Sequence, residues 1–346
     1  MYIMKNDYNH GAHPTILEAL MATNDQSFNG YGLDPMCEKA EAEIKKYLDC
    51  PNAHVHFLLG GTQTNFTLIA AALKPFQSVI CADCGHVNGH ETGAVENTGH
   101  KLLIQPNTNG KLRAEQVRKE AATYANCDCQ EHVTQPKLVY LSFPTAFGTL
   151  YSKQELLDIK AACDEYGLLL FIDGARMSYG LAAPENDVTL ADLAAVADAF
   201  YLGGTKCGTL FGEALVLTKE WLHQDFRAYM KQNGAMLAKG WLLGLQYEAL
   251  MENDLYLQIA AHADTMADKI RATLSELNYP LLVEGVTNQI FPILPDDLLD
   301  KLKEDFTFSE QLRVDESHRA VRFCTSWATK EESVDALCDA LKKLSV

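Results

Sequence analysis

Short apolar runs alternate with longer segments in which apolar residues recur at helical spacing between residues 50 and 220. The runs predict strands over 55–60, 78–83, 101–106, 136–144, 168–173, 199–204 and 213–218. The intervening segments predict helices, among them 88–97, 114–125, 152–167 and 189–198. Strands that alternate with helices indicate crossover connections, so we expect an α/β fold with a mostly parallel central sheet and flanking helices.

The pattern changes near residue 253. A long helical segment over about 254–278 is followed by the strand-like runs LLVEGV and NQIFPIL, a helix over 296–305, the strand AVRFCTSWA and a final helix over 331–344. This order predicts a small C-terminal α/β domain over 253–346, attached to a large domain over 1–252.

Composition and charge narrow the class of protein. The 346-residue chain has a formal net charge of −17, and an acidic surface repels nucleic acids and anionic membranes. Apolar runs of membrane-spanning length and an N-terminal signal pattern are absent from the sequence. The ten cysteines are scattered over predicted helices and strands, which is typical of reduced thiols in a cytoplasmic protein.

Two cysteine motifs could indicate a metal or redox site. CADCGH contains Cys81, Cys84 and His86, and CDCQEH contains Cys127 and His132. Structural zinc normally needs four ligands, and no second half with matching spacing accompanies either motif. We therefore expect no metal centre and assign CDCQEH to a loop.

The loops that follow the predicted strands carry the candidate chemistry, because ligands of such sheets bind beyond the carboxyl ends of the strands. In LGGTQTN (59–65), two glycines, the hydroxyls of Thr62 and Thr64 and the N–H groups of a helix start suit a phosphate. The alternative for this stretch is a plain Gly-Gly turn.

Asp173 ends the apolar run LLLFID, where a buried strand meets the ligand edge. It could cap the next helix, or it could pair with a cationic ligand group that offsets its desolvation. Lys206 in YLGGTKCG follows another strand, and partial burial near a cation favours the neutral amine that a nucleophilic lysine needs.

A phosphate cradle, a carboxylate and a nucleophilic lysine on one sheet edge together predict pyridoxal 5'-phosphate as cofactor. Lys206 would attach the cofactor covalently, Asp173 would hold its ring nitrogen, and Gly61, Thr62 and Gln63 would hold its phosphate.

The same motifs give the chain a specific resemblance. Six stretches resemble landmarks of fold-type-I pyridoxal phosphate enzymes. They are GGTQTN, DGAR, NDY, GYGLDP, HVNGHETGA, and GGTK with GEALV after it. Nearly the whole chain is similar to the family of threonine aldolases and aromatic amino acid β-eliminating lyases, and in particular to low-specificity L-threonine aldolases.

The resemblance implies further site residues. His86 matches the histidine that stacks on the cofactor ring. Arg322 in AVRFCTSWA matches the arginine that holds the substrate carboxylate, and Arg176 after DGA lies near the same carboxylate. Tyr31 matches a segment that reaches a neighbouring subunit's site, and Asn6 stands where relatives often have serine.

Two departures from the family pattern concern the substrate. The stretch that often carries a second histidine reads PTAFG here, with Ala146 and Phe147. An arginine seen in many relatives is replaced by Leu237, and the nearby Lys239 could serve instead. These changes leave open which group takes the substrate's hydroxyl proton, and with it the substrate range and stereopreference.

The resemblance implies retro-aldol cleavage of L-threonine, L-allo-threonine or a related β-hydroxy-α-amino acid to glycine and an aldehyde. His86, or a water beside it, is the expected base. Two alternatives stay open: β-elimination from another amino acid, and a catalytically silent protein on the same fold. The expected assembly is a homodimer or homotetramer.

Overall fold

The computed structural model describes residues 1–345. Its strands, in chain order, are β1 (Tyr2–Ile3), β2 (His54–Leu58), β3 (Gln77–Ala82), β4 (Lys101–Gln105), β5 (Gln135–Ser142), β6 (Leu169–Asp173), β7 (Ala199–Gly203), β8 (Glu213–Leu217), β9 (Gln289–Ile290), β10 (Ile293–Pro295), β11 (Phe306–Thr307), β12 (Ser309–Arg313) and β13 (His318–Cys324).

The helices cover both faces of the central sheet and much of the C-terminal part. They are α1 (Pro14–Thr23), α2 (Pro35–Lys46), α3 (Gly61–Ala72), α4 (His86–Gly89), α5 (Ala94–Asn97), α6 (Ala114–Ala125), α7 (Lys153–Tyr166), α8 (Met177–Ala182), α9 (Leu190–Val196), α10 (Glu220–His223), α11 (Phe226–Gln232), α12 (Trp241–Met251), α13 (Leu255–Glu276), α14 (Asp296–Leu302) and α15 (Glu331–Leu344).

Seven strands form the central sheet in the order β2-β8-β7-β6-β5-β3-β4. The pairs from β7 to β4 are parallel, and β8 is antiparallel to both of its neighbours. Successive residues of a strand face opposite sides: Val139 and Leu141 lie in one core cluster, and Leu138 and Tyr140 lie in the other. Both faces are therefore buried, and the predicted α/β fold with a mostly parallel sheet is confirmed.

Local signals fix several element ends. The hydroxyl of Ser152 accepts from the N–H of Glu155, whose carboxylate accepts from the N–H of Ser152, and this capping box begins α7. Gly167, with φ 63°, ends the helix. The predicted helix over 88–97 is wrong as a single element, because Thr92 (φ 52°) and Gly93 (φ 72°) separate α4 from α5.

The C-terminal part contains a smaller sheet of order β10-β13-β12, with β9 also paired to β13. The predicted strand LLVEGV does not form: Leu281 makes only an isolated bridge with Pro292. The N–H of Leu282 donates to the carbonyl of Phe291 (2.8 Å), but the N–H of Val286 donates to the carbonyl of Gly148 in the loop after β5 (2.9 Å), so the run does not continue as a strand.

A third core cluster holds this C-terminal part together, and it includes Met4 from the start of the chain. β1 also pairs with β11, with Tyr2 opposite Phe306. The first residues thus pack with the C-terminal core, and the division of the chain at 252/253 stays a prediction.

Within residues 1–345, no helix combines the length and the apolar character that crossing a membrane requires.

Candidate active site

A cavity of ≈ 450 Å³ opens at the carboxyl ends of β5, β6 and β7. Its lining includes Ser142 and Asp173 from the ends of β5 and β6, and Lys206 from the loop after β7. Gly61 from the start of α3 and Arg322 from β13 also line it. This is the edge at which sheets of this type bind ligands.

The loop after β7 holds Lys206 in place. The N–H groups of Gly204 and Thr205 donate to the carbonyl of Gly212 (3.0 and 3.1 Å), and the hydroxyl of Tyr179 donates to the carbonyl of Lys206 (2.6 Å). A Cβ at Gly204 would lie 2.7 Å from the Gly212 carbonyl oxygen. Glycine is therefore required at this position, because the turn is too tight for a side chain.

Lys206 lies in an environment that favours its neutral amine. Burial lowers the pKa of Lys206, and the Arg176 guanidinium lowers it further. The carboxylates of Asp7, Asp173 and Glu213 oppose this shift without reversing it. The net lowered pKa suits a lysine that acts as a nucleophile.

Glu213, the first residue of β8, also lines the cavity and was not predicted from the sequence. One of its carboxylate oxygens accepts the N–H of Gly204 (3.1 Å). Burial raises the pKa of Glu213 to about 8, against the opposing effects of its hydrogen bonds and of Lys206. The available signal was a glutamate at the start of an otherwise apolar strand, directly after the lysine loop.

Asp173 accepts four hydrogen bonds, which fill the acceptor positions of a carboxylate. Oδ1 accepts from the Tyr201 hydroxyl (2.5 Å) and the Ala175 N–H (3.0 Å). Oδ2 accepts from the Tyr140 hydroxyl (2.5 Å) and from Nδ2 of Asn65 (3.1 Å). Burial alone would raise the pKa of Asp173, but the hydrogen bonds from the two tyrosines, the charge of His86 and the Ala175 N–H together hold the pKa below its usual value.

The strand neighbours explain how these tyrosines reach Asp173. β5 and β7 flank β6 in the sheet, and Tyr140 and Tyr201 project from them on the side of the core that the Asp173 side chain faces. The sequence contains both tyrosines but does not state which strands are adjacent. Their contribution could therefore be predicted only after the strand order was known.

The start of α3 provides free backbone donors. The first backbone bond of the helix runs from the N–H of Thr64 to the carbonyl of Gly60 (3.0 Å). The N–H groups of Gly61, Thr62 and Gln63 precede it and have no acceptor within the helix. Gly61 and Thr62 line the cavity, so this helix start can receive an anion there.

Two side chains of this segment do not contribute as the sequence suggested. The Thr64 hydroxyl is buried and donates to the carbonyl of Gly60 (3.0 Å). The Gln63 amide accepts from the N–H of Leu59 (3.3 Å) and donates to the carbonyl of Asn233 (3.2 Å). Only the backbone N–H of Gln63 can serve an anion, because its side chain is bound elsewhere.

Two histidines also line the cavity. His86 at the start of α4 is one, with its side chain 42% exposed, and Nδ1 lies 2.7 Å from the carboxylate of Glu91. His90 is the other, with its ring centroid 5.6 Å from that of His86. Partial burial lowers the pKa of His90, and His86 and Arg322 lower it further. His90 was missed from the sequence, although its position one helical turn after His86 was a signal.

Arg176 lines the cavity but already has a partner. Its Nε and Nη2 donate to the buried carboxylate of Asp7 (2.6 and 3.0 Å), which also accepts from Asn288 (2.9 Å). Burial works against ionisation of Asp7, yet Arg176 lowers the pKa of Asp7 to about 2. Asn6, the predicted N-terminal residue, is not among the residues that line the cavity, and Asp7 next to it makes the contact with Arg176.

Arg322 lines the cavity from β13. Nη1 donates to Oε1 of Gln289 (3.0 Å), and Nη2 donates to the carbonyl of Lys5 (3.0 Å). Nε is buried and lacks a hydrogen-bond partner among residues 1–345. Val321 and Phe323 beside it are buried in the C-terminal core, in agreement with the predicted alternation along this strand.

An apolar wall lies where the sequence resemblance leads one to expect a second histidine. Ala146 and Phe147 line the cavity, and the Phe147 ring packs edge-on against Phe291 at 5.5 Å between centroids. A proton-transfer group is absent from these three positions.

Tyr31 lies apart from this cavity, 45% exposed on the surface. Its carbonyl accepts from Arg227 (3.1 Å), and the Lys231 ammonium lies 4.9 Å from its ring centroid. Lys239, named as a substitute for the missing arginine, is exposed and does not line the cavity of this chain. The role of Tyr31 in a neighbouring subunit's site and that of Lys239 as a substitute for the missing arginine stay predictions.

Comparison with known proteins gives a consistent result. The profile of the β-eliminating lyase family matches residues 11–296. A low-specificity L-threonine aldolase of Pseudomonas sp. (strain NCIMB 10558) is 30% identical, with 96% of this chain and 94% of that protein covered. A solved Leishmania major threonine aldolase is 43% identical with a TM-score of 0.97, and both chains are fully covered. A Thermus thermophilus aspartate aminotransferase, 15% identical with a TM-score of 0.72 over 99% of this chain and 91% of its own, shares the fold.

Proposed function

The chain belongs to the β-eliminating lyase family, and on this premise we propose that it is a pyridoxal-phosphate-dependent aldehyde-lyase. It cleaves L-threonine, L-allo-threonine or a related β-hydroxy-α-amino acid to glycine and an aldehyde. The observation that carries the proposal is that Lys206, Asp173 and the free N–H groups of α3 meet in one cavity. The similarity to threonine aldolases at 30% and 43% identity supports it.

The residues present fit the cofactor. The N–H groups of Gly61, Thr62 and Gln63 would hold the phosphate, Lys206 would attach the cofactor, and Asp173 would bind the ring nitrogen. The Asp173 oxygens already accept four bonds, so one donor has to yield. The bond from Asn65 is the longest of the four at 3.1 Å, and Asn65 retains Glu91 as an acceptor at 2.7 Å.

Once bound, pyridoxal phosphate supplies an electron sink for the carbanion that remains when the Cα–Cβ bond breaks. The Arg322 guanidinium binds the substrate carboxylate and orients the amino acid. Arg176 adds positive charge at the same wall, although Asp7 occupies two of its donors. His86 accepts the β-hydroxyl proton, the two electrons of the Cα–Cβ bond remain with Cα, and the aldehyde leaves. A proton then adds to Cα and glycine is released.

Substrate tests separate this reaction from its alternatives. The purified enzyme is incubated with L-threonine and L-allo-threonine, and glycine and acetaldehyde are measured beside 2-oxobutanoate. We expect equal amounts of glycine and acetaldehyde from wild-type protein and none from Lys206→Ala. Formation of 2-oxobutanoate alone would replace the proposal with β-elimination, and the absence of any product would favour a silent protein.

The attachment site has its own test. Borohydride reduction of the holoenzyme followed by peptide mapping is expected to place the cofactor on Lys206, because its loop is fixed and its pKa is lowered. A label on Lys231 or Lys239 would overturn the assignment.

The assembly is proposed to be a homodimer or homotetramer. Tyr31 lies away from the cavity of its own chain and in a segment that resembles one contributing to a neighbour's site. Sedimentation at assay concentration is expected to give a dimer or tetramer. A fully active monomer would refute a shared site.

The proposed location is the cytoplasm. The support is the formal net charge of −17 and the ten cysteines dispersed through the sequence. Detection of the protein in a periplasmic or culture-medium fraction of intact cells would contradict it.

A further inference from the structure

Glu91 is a buried carboxylate with no part in the chemistry described above. Its side chain is fully buried, and Oε1 accepts from Nδ2 of Asn65 at 2.7 Å and lies 2.7 Å from Nδ1 of His86. Oε2 is buried without a hydrogen-bond partner in the described part of the chain. The carboxylate is therefore held entirely through the oxygen that contacts His86 and Asn65.

Asn65 connects this carboxylate to Asp173. Its Nδ2 donates to Glu91 and, at 3.1 Å, to Oδ2 of Asp173. Ionised carboxylates only accept hydrogen bonds, so the amide must present its NH₂ group to both of them. A continuous series of hydrogen bonds thus runs along the cavity wall from His86 through Glu91 and Asn65 to Asp173.

The contact with Glu91 determines how His86 presents its ring. In a neutral imidazole one nitrogen carries a proton and the other accepts, and the partner of the first decides the tautomer. A carboxylate beside Nδ1 requires that Nδ1 carry the proton. Nε2 is then left as the acceptor, on the ring edge that faces away from the buried Glu91.

We propose that Glu91 is a positioning residue that holds His86 in the Nδ1-protonated tautomer, with Nε2 free to accept a proton from the substrate. The catalytic part of this inference rests on the proposed aldehyde-lyase function. The part that concerns the tautomer of His86 does not depend on that function. Burial of a carboxylate carries a desolvation cost that its partners must offset, so stability alone does not account for a carboxylate at this place. Groups that orient a metal-ligating histidine in this way typically change metal affinity or activity by about 10–100-fold when removed, and we expect an effect of at least this order here.

The first test measures the tautomer in the protein without cofactor or substrate. Nitrogen-15 NMR of the eleven histidines, with His86 identified through His86→Gln, reports which ring nitrogen is protonated. We expect Nδ1–H at His86 in wild type, a shift towards Nε2–H in Glu91→Leu, and retention of Nδ1–H in Glu91→Gln, whose amide oxygen still accepts. Glu220→Gln is the matched control, because Glu220 makes a 2.8 Å contact with His54 elsewhere and is 78% exposed.

The second test is kinetic. We expect Glu91→Leu to lower kcat about 10–100-fold with KM changed less than about threefold, because Arg322 still binds the substrate carboxylate. Glu91→Gln should recover most of kcat, and Glu220→Gln should match wild type. A change confined to KM, or equal losses in Glu91→Leu and Glu91→Gln, would overturn the positioning role.

The outcomes are separable from those of the proposed function. An Nε2–H tautomer of His86 in wild-type protein overturns the inference even if Glu91→Leu fails to fold. An unchanged His86 tautomer in a folded Glu91→Leu variant also overturns it. A wild-type protein that cleaves no β-hydroxy amino acid overturns the proposed function and the catalytic part, while the tautomer measurement still decides what Glu91 does to His86.

Discussion

Asp264 in α13 is predicted to destabilise the protein at neutral pH, although it lies outside the candidate active site. The residue is 2% exposed, and within residues 1–345 neither carboxylate oxygen has a hydrogen-bond partner. Burial raises the pKa of Asp264 from 3.8 to about 8. Arg271 opposes the shift, and Asp268 and Glu185 add to it. The folded protein therefore retains a proton that the unfolded chain releases.

The sign and size of the pH dependence follow from the linkage between proton binding at Asp264 and folding. Between the pKa of the unfolded chain, 3.8, and that of the folded protein, about 8, folding takes up one proton at Asp264. The free energy of unfolding therefore falls as the pH rises, by about 1.4 kcal/mol per pH unit. Accumulated from 3.8 to pH 7, the penalty is about 4 kcal/mol, and it is absent below pH 3.8.

Asp264→Asn removes the titrating group with little change in shape. Urea unfolding of the protein without cofactor, at one fixed concentration, measures the free energy of unfolding between pH 5 and 8. The variant should gain on wild type by about 1.4 kcal/mol for each pH unit between pH 5 and 7, and the gain should level off as the pH approaches 8. Asp339→Asn is the matched control, because Asp339 is an exposed aspartate on α15.

The prediction is tested by the two curves of unfolding free energy against pH, one for Asp264→Asn and one for wild type. If the Asp264→Asn and wild-type curves run parallel from pH 5 to 8, the folded and unfolded chains bind the same number of protons at Asp264, and the reasoning fails. If Asp339→Asn shows the same divergence, the effect reflects net charge rather than burial.

Three further predictions concern the cavity. Asp7→Asn should lower the free energy of unfolding at pH 7 by about 3 kcal/mol, since it leaves Arg176 unpaired. Because the pKa of Asp7 is lowered to about 2, the stabilisation that Asp7 provides is complete above pH 3.8 and is lost as the pH falls through 2. Urea unfolding should therefore show a smaller difference between variant and wild type at pH 3 than at pH 7. Asp173→Asn should retain cofactor absorbance but lose about 100-fold in kcat, and near wild-type turnover would reject its role. His86→Ala should lower aldehyde formation by about 10²–10⁴-fold and His90→Ala by less than about tenfold, and the reverse order would make His90 the base.

The regular part of the fold was predictable because its signals are local. The buried strands appear as continuous apolar runs, and helix ends such as Ser152 to Gly167 carry their own capping residues. The split of the helix over 88–97 was not predictable in the same way. Thr92 adopts a positive φ that its residue type does not favour, so tertiary contacts determine the break.

The site was predictable only as far as each residue's function is visible in its own loop. Lys206 and Asp173 end or follow strands, and strand ends meet at one edge. Asp7 was missed in favour of Asn6 because its partner, Arg176, is 169 positions away in the chain. A contact over that separation is set by packing, and neither the composition nor the spacing of the N-terminal segment indicates it.

The charges of the cavity explain how a neutral lysine can coexist with so many ionised neighbours. Asp7 is committed to Arg176, and Asp173 is committed to its tyrosine and amide donors. Glu213 is the remaining carboxylate facing Lys206, from β8, and burial raises its pKa well above the usual value. The raised pKa of Glu213 weakens the support that its carboxylate gives to the ammonium form of Lys206, whereas the fixed charge of Arg176 destabilises that form. The arrangement therefore places Arg176 and Arg322 in the cavity where the substrate carboxylate would bind, and leaves the amine of Lys206 without a committed counterion.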